Sequence, residues 1–399
     1  MANTPGYFVA LKYANEALRY TTKRLGLGMR VFRGFDINSN FDQGDTLRIR
    51  RPMKFTATSA PATATALVPD NISIALSNWY EVKFEVTDKE YAQAAAGYVP
   101  AHMETAAYAV ADKIDSTIAA LSKTVAHSWG EAVASTTATV AGVLGVQRKL
   151  FDNQCPIQEM QNMHFMIGGQ EQADLLALAA FSGYNVGGDP SVATQATGQI
   201  GQRYGFNFFA NQNRTTNAYA SISDFAGTIT EPAAVGATSI TVGGLGTSEV
   251  YAVGTIIKFT TSGQEYAITA EATMSGGAAV VSINPAIRVA EADNAAITIA
   301  TTQGEATPTQ DNVTRNQNLA FHRDWAALAM AKLPDFSEQS NPGLGASIAT
   351  VQDPVTGLAL RARTFYVGDS SKMVCALDAL WGVAELNPEM ACRYEVTAA

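Results

Sequence analysis

The strict alternation of apolar and polar side chains between Ile72 and Val86 is the feature that most constrains what this chain can fold into. A period of two residues is typical of a β-strand with one buried face. If the strand is unbroken, fifteen residues at about 3.3 Å each predict a length of roughly 50 Å, whereas ordinary strands have about five or six residues. Asn78 is the one break in the apolar face, which consists of Ile72, Ile74, Leu76, Tyr80, Val82, Phe84 and Val86.

A second strand is predicted before this one, at residues 45 to 55. Its apolar face holds Leu47 and Ile49, and its polar face holds Arg48 and Arg50. The two strands are joined by a polar connector rich in Ala, Thr and Pro. Strands of this length predict a β-hairpin that extends beyond the body of its own domain.

Two amphipathic helices are predicted on either side of the hairpin, at residues 7 to 25 and 100 to 126. The second would be a rod of about 40 Å at 1.5 Å per residue, and Pro100 suits its first turn. Its apolar side chains recur at helical spacings of three and four residues and form one face, with Met103, Ala107, Val110, Ile114, Ile118, Leu121 and Val125.

The middle of the chain predicts shorter elements of mixed type. These are a helix at residues 138 to 152, a buried strand at 163 to 168, a helix at 170 to 180 and a strand at 206 to 213. Residues 182 to 198 are rich in Gly and polar side chains and predict a mobile loop.

From about residue 225 to 305 the pattern changes to short strands separated by turn signals such as Gly-Gly, Ser-Gly and Asp-Asn. Regularly spaced short strands predict a small barrel or sandwich. The predicted strands lie at residues 238–242, 255–260, 265–269, 279–283 and 295–300.

The low content of charged residues limits the class of protein. The chain has 399 residues, enough for two or three domains, and its charged fraction of 16% is well below the usual ~25%. Ala, Thr and Gly replace the missing charges. This composition suits a protein whose surfaces are covered by neighbours, and it equally suits a secreted surface-layer protein.

The net charge of −9 is unevenly distributed. Residues 1 to 54 hold ten Lys or Arg against four Asp or Glu, and residues 224 to 310 hold two against eight. An acidic chain is not a general nucleic-acid binder, because phosphate contacts need a basic surface. The basic N-terminal segment could face nucleic acid or an acidic neighbour, or it could be a solvated charged face.

Cysteine usage and hydropathy predict a protein of a reducing compartment. Cys155, Cys375 and Cys392 are far apart, which is neither a disulfide framework nor a CxxC metal site. The first twenty residues lack the continuous apolar stretch of a signal peptide. The uncharged stretch that most resembles a membrane span, residues 132 to 147, is too short and too rich in Thr, Ser and Gly to cross a bilayer, so no membrane partner is expected.

No enzyme motif emerges from the sequence, so no catalytic residue, cofactor or metal is predicted. His322, Arg323 and Asp324 spell the tripeptide of a kinase catalytic loop, but the position for the magnesium-binding Asn is Ala329. The tripeptide is therefore interpreted as a polar turn between apolar segments.

The histidines and the aspartates near the N-terminus give no metal site either. His102, His127, His164 and His322 are scattered, and His164 lies in an apolar strand, as a core histidine would. Asp36, Asp42 and Asp45 lie in GFDINSNFDQGD, whose spacing differs from that of a calcium loop. We interpret this loop as one that orients the base of the hairpin.

The C-terminal part contains three apolar stretches broken by polar turns: NLAFHRDWAALAMAKLP from Asn318, QDPVTGLALRART from Gln352 and ALDALWGVAELNPEMA from Ala376. Together they resemble the C-terminal part of the major coat proteins of tailed double-stranded DNA bacteriophages. The segment GTIIKFTTSGQEYAIT from Gly254, followed by VSINPAI from Val281, resembles the inserted β domain of the short-tailed phage type.

This resemblance implies an α+β subunit with the Hong Kong 97-like major capsid fold and an inserted small all-β domain. The order of predicted elements agrees with that fold from end to end. The implied parts are an N-terminal arm at 1–40, an extended hairpin and peripheral strand at 41–90, a spine helix at 91–128, an apical domain at 129–223, the inserted domain at 224–308, a return to the apical domain at 309–355 and peripheral strands at 356–399.

The resemblance also implies the partners. It predicts self-assembly into pentamers and hexamers of an icosahedral shell, guided by a separate scaffolding protein because no helical pro-region precedes the arm. A portal, decoration proteins and packaged double-stranded DNA, held by non-specific proximity, complete the set, in a virion assembled in the host cytoplasm. The alternatives are a secreted or surface-layer adhesive β protein and an enzyme with an unrecognised site.

Five side chains are predicted to make contacts between subunits. Three are the arginines of the strand before the hairpin, Arg48, Arg50 and Arg51, which we expect to meet acidic groups of another subunit. The others are Arg323 and Asp324 of the polar turn, which would pair locally or with a neighbouring subunit.

Overall fold

The computed structural model describes twelve stretches of the chain. They are residues 10–33, 46–51, 59–60, 70–93, 98–132, 134–183, 194–219, 226–246, 248–300, 313–334, 346–353 and 357–399. The predicted loop with Asp36, Asp42 and Asp45 lies outside them, as do most of the predicted mobile loop and the tip of the hairpin. Residues 194 to 197 of that predicted loop are helical.

The structure is α+β, as predicted, and its helices come early in the chain. They are α1 (Ala10–Arg24), α2 (Asp88–Gln93), α3 (Tyr98–Ala120), α4 (Val140–Asp152), α5 (Gly169–Ala177) and α6 (Ala179–Ser182). Thr139 caps α4, because its side-chain oxygen accepts a hydrogen bond from the backbone N–H of Gly142 at 3.0 Å.

The strands follow the chain in three groups. The first group is β1 (Thr46–Arg51), β2 (Asp70–Ala75), β3 (Asn78–Thr87), β4 (Ser128–Gly130), β5 (Met163–Ile167), β6 (Gln202–Arg203), β7 (Phe206–Ala210) and β8 (Thr215–Tyr219). The second is β9 (Ala226–Ile229), β10 (Ser239–Gly243), β11 (Val250–Tyr251), β12 (Ile256–Phe259), β13 (Glu265–Ile268), β14 (Ala272–Thr273), β15 (Ala278–Asn284) and β16 (Ala296–Ala300). The third is β17 (Val313–His322), β18 (Ala326–Ala331), β19 (Ala346–Gln352), β20 (Ala359–Val367), β21 (Lys372–Glu385) and β22 (Ala391–Thr397).

The chain divides into two compact units, and the first comprises Met1–Thr117 and Ala326–Leu386. Its centre is an antiparallel sheet in the order β18-β21-β20-β19, with β3 also paired to β21. Helix α1 packs on β19 and β20. The described side chains of the predicted apolar face of α3 that fall in this unit, Met103, Ala107, Val110 and Ile114, are all buried.

A buried carboxylate joins α3 to the end of α1. Asp115 is 4% exposed, and its oxygens accept hydrogen bonds from the backbone N–H groups of Gly26 at 2.7 Å, Leu27 at 3.2 Å and Gly28 at 2.8 Å. These groups follow the last turn of α1, so Asp115 fixes where the chain turns after that helix.

The second unit comprises Ile118–Trp325 and Asn387–Ala399. Its mixed sheet has the order β4-β22-β17-β5-β7-β6, with β8 also paired to β17. The core of this sheet lies against α4 and α5 and is rich in aromatic side chains, among them Phe165, Phe181, Phe206 and Tyr394.

A closed barrel is inserted in the second unit between β8 and β17. Its strands have the order β10-β15-β13-β12-β16-β9, all paired antiparallel. The sequence allowed a barrel or a sandwich, and the structure has the barrel. The first strand pairs with the last, with Gly227 opposite Ile297, so the chain enters and leaves the barrel on neighbouring strands.

The single long strand predicted from Ile72 to Val86 is wrong. The chain forms two strands, and β2 pairs with β1 while β3 pairs with β21. Between them it crosses close over Gly382, where an added Cβ would lie 2.9 Å from the carbonyl carbon of Ala75. Glycine permits this approach, and the change of partner explains why the alternation fails at Asn78.

The hairpin prediction needs a related correction. In its described part, the apolar face of β1 and β2 packs within the first unit, since Ile74 is fully buried and clusters with Ala327 and Ala329 of β18. The base of the hairpin therefore belongs to the core of its own unit. The tip, where an extension would lie, is outside the described residues.

The C-terminal boundaries also differ from those predicted. Strands β18 and β19 were expected in an apical domain, but pairing of β18 with β21 places them in the first unit. Strand β22 was expected among peripheral strands, but it pairs with β17 and lies in the second unit. Local turn and strand patterns predict where each strand lies in the chain. The unit to which a strand belongs depends on its pairing with residues far away in the sequence, which local patterns do not reveal.

Candidate functional site

The predicted contact residues of the hairpin lie on β1, opposite β2. Arg48 is opposite Ser73 and is exposed, whereas its neighbours Leu47 and Ile49 are half-buried. The polar face of β1 therefore points away from the core, as its alternation predicts. Arg50 and Arg51 continue β1 opposite Asn71 and Asp70, and their side chains lie outside the described part of the structure.

The other two predicted contact residues lie in the second unit, in a single turn of 3₁₀ helix, Arg323–Trp325, between β17 and β18. Trp325 is fully buried and anchors this turn, while Arg323 is exposed. Asp324 is half-exposed, and its Oδ2 lies 3.8 Å from Nδ1 of His322. His322 also approaches Glu159, with 3.4 Å between Nε2 and Oε2. The tripeptide is thus a polar turn with a local histidine contact.

The first unit contains an ionic cluster that the sequence did not predict. Arg361 donates from Nε and Nη2 to the two carboxylate oxygens of Asp378 at 3.0 and 2.5 Å. Arg363 lies 3.3 Å from Oδ2 of Asp378 and donates to Glu81 at 2.6 Å, and Trp79 donates to the same Oδ2 at 3.3 Å. The only sequence signal was the pair of charged residues inside the apolar stretch LALRART.

A second cluster that the sequence did not predict lies in the sheet of the second unit, on β22 and β8. Arg393 and Glu395 of β22 are fully buried, with 3.1 Å between Nη1 and Oε1. The hydroxyl of Tyr219 donates to the same oxygen at 2.9 Å. Burial raises the pKa of Glu395, against the charges of Arg393 and Arg315, which lower it. These groups bind one another, so we assign them a role in stabilising the fold.

Arg393 also reaches the barrel. Its Nη2 donates to the carbonyl of Gly254 at 2.7 Å, and its Nη1 to the carbonyl of Lys123 at 3.4 Å. Gly254 has a φ of +88°, and an added Cβ would lie 2.7 Å from Nη1 of Arg393. The buried guanidinium of Arg393, on β22, thus connects the sheet to the barrel and to the 3₁₀ turn Leu121–Thr124 that follows α3.

The three cysteines carry unreactive thiols. Burial raises the pKa of Cys155 and Cys392 to about 12 and that of Cys375 to about 11, so all three thiols are protonated at neutral pH. Within the described residues, no group of three His, Cys, Asp or Glu side chains is placed to hold a metal ion. No helix there is both long and apolar enough to cross a membrane.

Comparisons with known proteins found solved structures only. No family model matches the chain, and no curated protein matches its sequence significantly. The solved structure of Mycobacterium phage Che8 is 11% identical over 93% of this chain and 90% of the other, with a TM-score of 0.48. The capsid of Ralstonia phage GP4 is 9% identical over 100% and 93%, with a TM-score of 0.46. The head structure of Helicobacter pylori bacteriophage KHP40 is 10% identical over 99% and 92%, with a TM-score of 0.45. Along most of its length, the chain is thus similar to chains of solved phage structures.

Proposed function

We propose that this chain is the major capsid protein of a tailed bacteriophage, which assembles into pentamers and hexamers of an icosahedral shell around double-stranded DNA. The observation that carries the proposal is the order of its elements. A hairpin leads through β3 into a helix of 23 residues, and a closed barrel interrupts the sheet that follows. This is the order that the resemblance of the sequence implies.

The stretches that carry the resemblance form strands of the barrel and of both sheets, which supports the proposal. The stretch from Gly254 to Thr269 supplies β12 and β13, two adjacent strands of the barrel. The C-terminal stretches supply the second half of β17, near the centre of the second unit's sheet, and all of β18 and most of β20 and β21 in the first unit's sheet. Resemblance in such strands concerns the fold as a whole, whereas resemblance in surface loops would concern only local features.

The proposed partners follow from the same resemblance. We propose a scaffolding protein during assembly, a portal and decoration proteins in the shell, and DNA held by proximity. A net charge of −9 fits the last point, because tight phosphate binding needs a basic surface. The virion would be assembled in the cytoplasm of the host.

Expression in bacteria, alone and together with the scaffolding protein, tests the proposal. We expect closed shells or capsomer-sized oligomers, seen by negative-stain electron microscopy and by sedimentation velocity. A species of 42.2 kDa that stays monomeric at high concentration with the scaffold present would contradict it.

A further inference from the structure

A cavity of about 190 Å³ lies in the second unit between α4 and the barrel. This volume is far more than the ~10–15 Å³ that one water molecule requires and less than the ~300–1,000 Å³ of sites for drug-sized ligands. Its chemistry comes from five side chains: His127, Lys149, Asn153, Glu265 and Arg288. Its size suits a small ion with a few waters.

The one carboxylate of the cavity lining is already bound by a lysine and a histidine. Glu265 of β13 lies 2.8 Å from Nζ of Lys149 on α4 and 3.1 Å from Nδ1 of His127. Burial alone would raise the pKa of Glu265, but the hydrogen bond from His127 and the charge of Lys149 lower it. Glu265 is therefore ionised at neutral pH and aligns Lys149 and His127 at the cavity.

Two further polar atoms of the lining are buried and lack a protein partner. Among the described residues, none makes a hydrogen bond with Nε2 of His127 or with Nδ2 of Asn153. His127 is 6% exposed, so water in the bulk solvent does not replace that partner. Arg288 adds a guanidinium, which Glu389 binds at Nη1 at 2.6 Å. Lys149 and Arg288 thus give the lining two cationic side chains, and Nδ2 of Asn153 is a donor without a protein partner among the described residues.

We propose that this cavity binds a free tetrahedral oxyanion such as sulfate or phosphate. Lys149, Arg288 and Asn153 supply positive charge and N–H donors, which are the groups that bind such oxygens. The bound ion contacts α4 on one side and the barrel on the other, so it stabilises their contact. This inference does not depend on the proposed function in assembly.

The position of His127 couples this binding to a proton. Its Nδ1 faces Glu265, so in the neutral ring Nδ1 donates and Nε2 is an acceptor, which an oxyanion does not match. In the protonated ring Nε2 donates as well. The charged groups that face His127 are Glu265 from β13, Lys149 from α4 and Arg288 from the segment after β15. Because protonation of His127 adds a donor and a positive charge, the affinity for sulfate should increase as the pH falls from 7.5 to 5.5. Sulfate itself stays doubly charged over this range, so the change would come from the protein.

Titration of the full chain with sodium sulfate by calorimetry, at an ionic strength held constant with sodium chloride, tests the proposal. The informative pair of variants is R288Q and R148Q. Both remove one arginine, but Arg148 lies on the outer face of α4 with a side chain 75% exposed. We expect saturable binding that R288Q weakens about tenfold or more and that R148Q leaves unchanged. Equal binding by the two variants would overturn the proposal.

A second variant keeps the test decisive if R288Q does not fold. N153D is isosteric and places a negative charge in the lining, so it should abolish sulfate binding while the chain still melts cooperatively. Melting curves alone are insufficient, because excluded sulfate stabilises proteins generally. If the heat of the sulfate titration never saturates, or equals the heat of a matching chloride titration, the chain has no sulfate site. The same titration with sodium phosphate should give the same saturable binding as sodium sulfate. If adenosine 5′-monophosphate competes with sulfate, the site also accepts phosphate monoesters.

Discussion

Arg361 and Asp378 lie directly opposite each other on β20 and β21, and their paired charges are buried at 7% and 0% exposure. The carboxylate is shared with Arg363 and the indole N–H of Trp79. Removing one partner of a buried pair leaves the other charge without compensation, and this costs about 3–5 kcal/mol.

We therefore expect D378N to lower the free energy of unfolding of the unassembled chain by about 3–5 kcal/mol in urea titrations. The matched control is E85Q, which breaks the exposed pair of Glu85 and Lys372 across β3 and β21 in the same sheet. Exposed pairs contribute ~0–1 kcal/mol, so E85Q should change little. A D378N variant as stable as E85Q would show that the cluster does not stabilise the sheet.

Substitution of Gly254 tests the junction between the barrel and the sheet. G254A adds a Cβ at a φ of +88°, directly against Nδ2 of Asn217, 2.7 Å from Nη1 of Arg393 and 2.8 Å from the carbonyl oxygen of Lys123. Gly236 has a φ of +87° with open space around it, so G236A incurs the backbone strain alone. We expect G236A to cost about 1–2 kcal/mol and G254A about 1–3 kcal/mol more, measured by thermal melting. Equal losses would mean that Asn217, Arg393 and the backbone of Lys123 make room for the added Cβ at no cost.

The pH dependence of stability should report on His127. Burial lowers its pKa in the folded chain below the ordinary value of 6.5. The unfolded chain therefore binds the proton first, so this contribution to stability is complete above about pH 6.5 and decreases as the pH falls toward the lower folded pKa. In chloride buffer, the melting temperature should fall less steeply below this pH in H127Q than in the unaltered chain.

The matched control for this prediction is H102Q, because His102 is exposed and sits on α3 in the other unit. H102Q should keep the slope of the unaltered chain. Parallel slopes in H127Q and the unaltered chain would show that His127 gains as much from Glu265 on protonation as it loses by desolvation.

Much of the secondary structure could be predicted because it depends on local periodicity. The apolar spacing from Met103 to Val125 gave a long helix whose described core positions are mostly buried, and the short strands of the barrel follow their turn signals. The strand from Ile72 to Val86 was predicted too long because the period of two continues on both sides of the break. What ends β2 is a close crossing with Gly382, some three hundred residues away.

The candidate sites were less accessible to prediction, again for a physical reason. Arg48 was placed correctly on a polar face because alternation alone determines it. The buried pair of Arg361 and Asp378 depends on the register of two strands, and the lining of the cavity unites His127 with Glu265 of the barrel. A single sequence holds no signal for such distant contacts, because a charged side chain that is buried in a pair looks the same in the sequence as one exposed to solvent.

The barrel should fold as an autonomous unit. It is closed, it has its own core around Ile257, Phe259 and Tyr266, and its first and last strands are paired. A fragment of residues 224 to 308 should therefore give a β-type circular dichroism spectrum and a cooperative melting transition. The matched variant I257D places a charge at a fully buried position and should abolish both. A random-coil spectrum of the unaltered fragment would contradict an autonomous domain.

The last prediction concerns Arg48 and rests on the proposed function. Arg48 is exposed on the polar face of β1, while the apolar face of the hairpin packs in the core of the first unit. The double variant R48E/R50E should therefore leave the subunit folded. If these arginines meet acidic groups of a neighbouring subunit, each contact contributes only ~0–1 kcal/mol, but it recurs at every equivalent interface of a shell. Reversal turns each attraction into a repulsion, so we expect normal melting but no closed shells by sedimentation and electron microscopy. The neutral variant R48Q/R50Q should assemble weakly, because it loses the attraction without adding repulsion. Normal shells from R48E/R50E would exclude the contact, and a lost melting transition would assign the arginines to the fold instead.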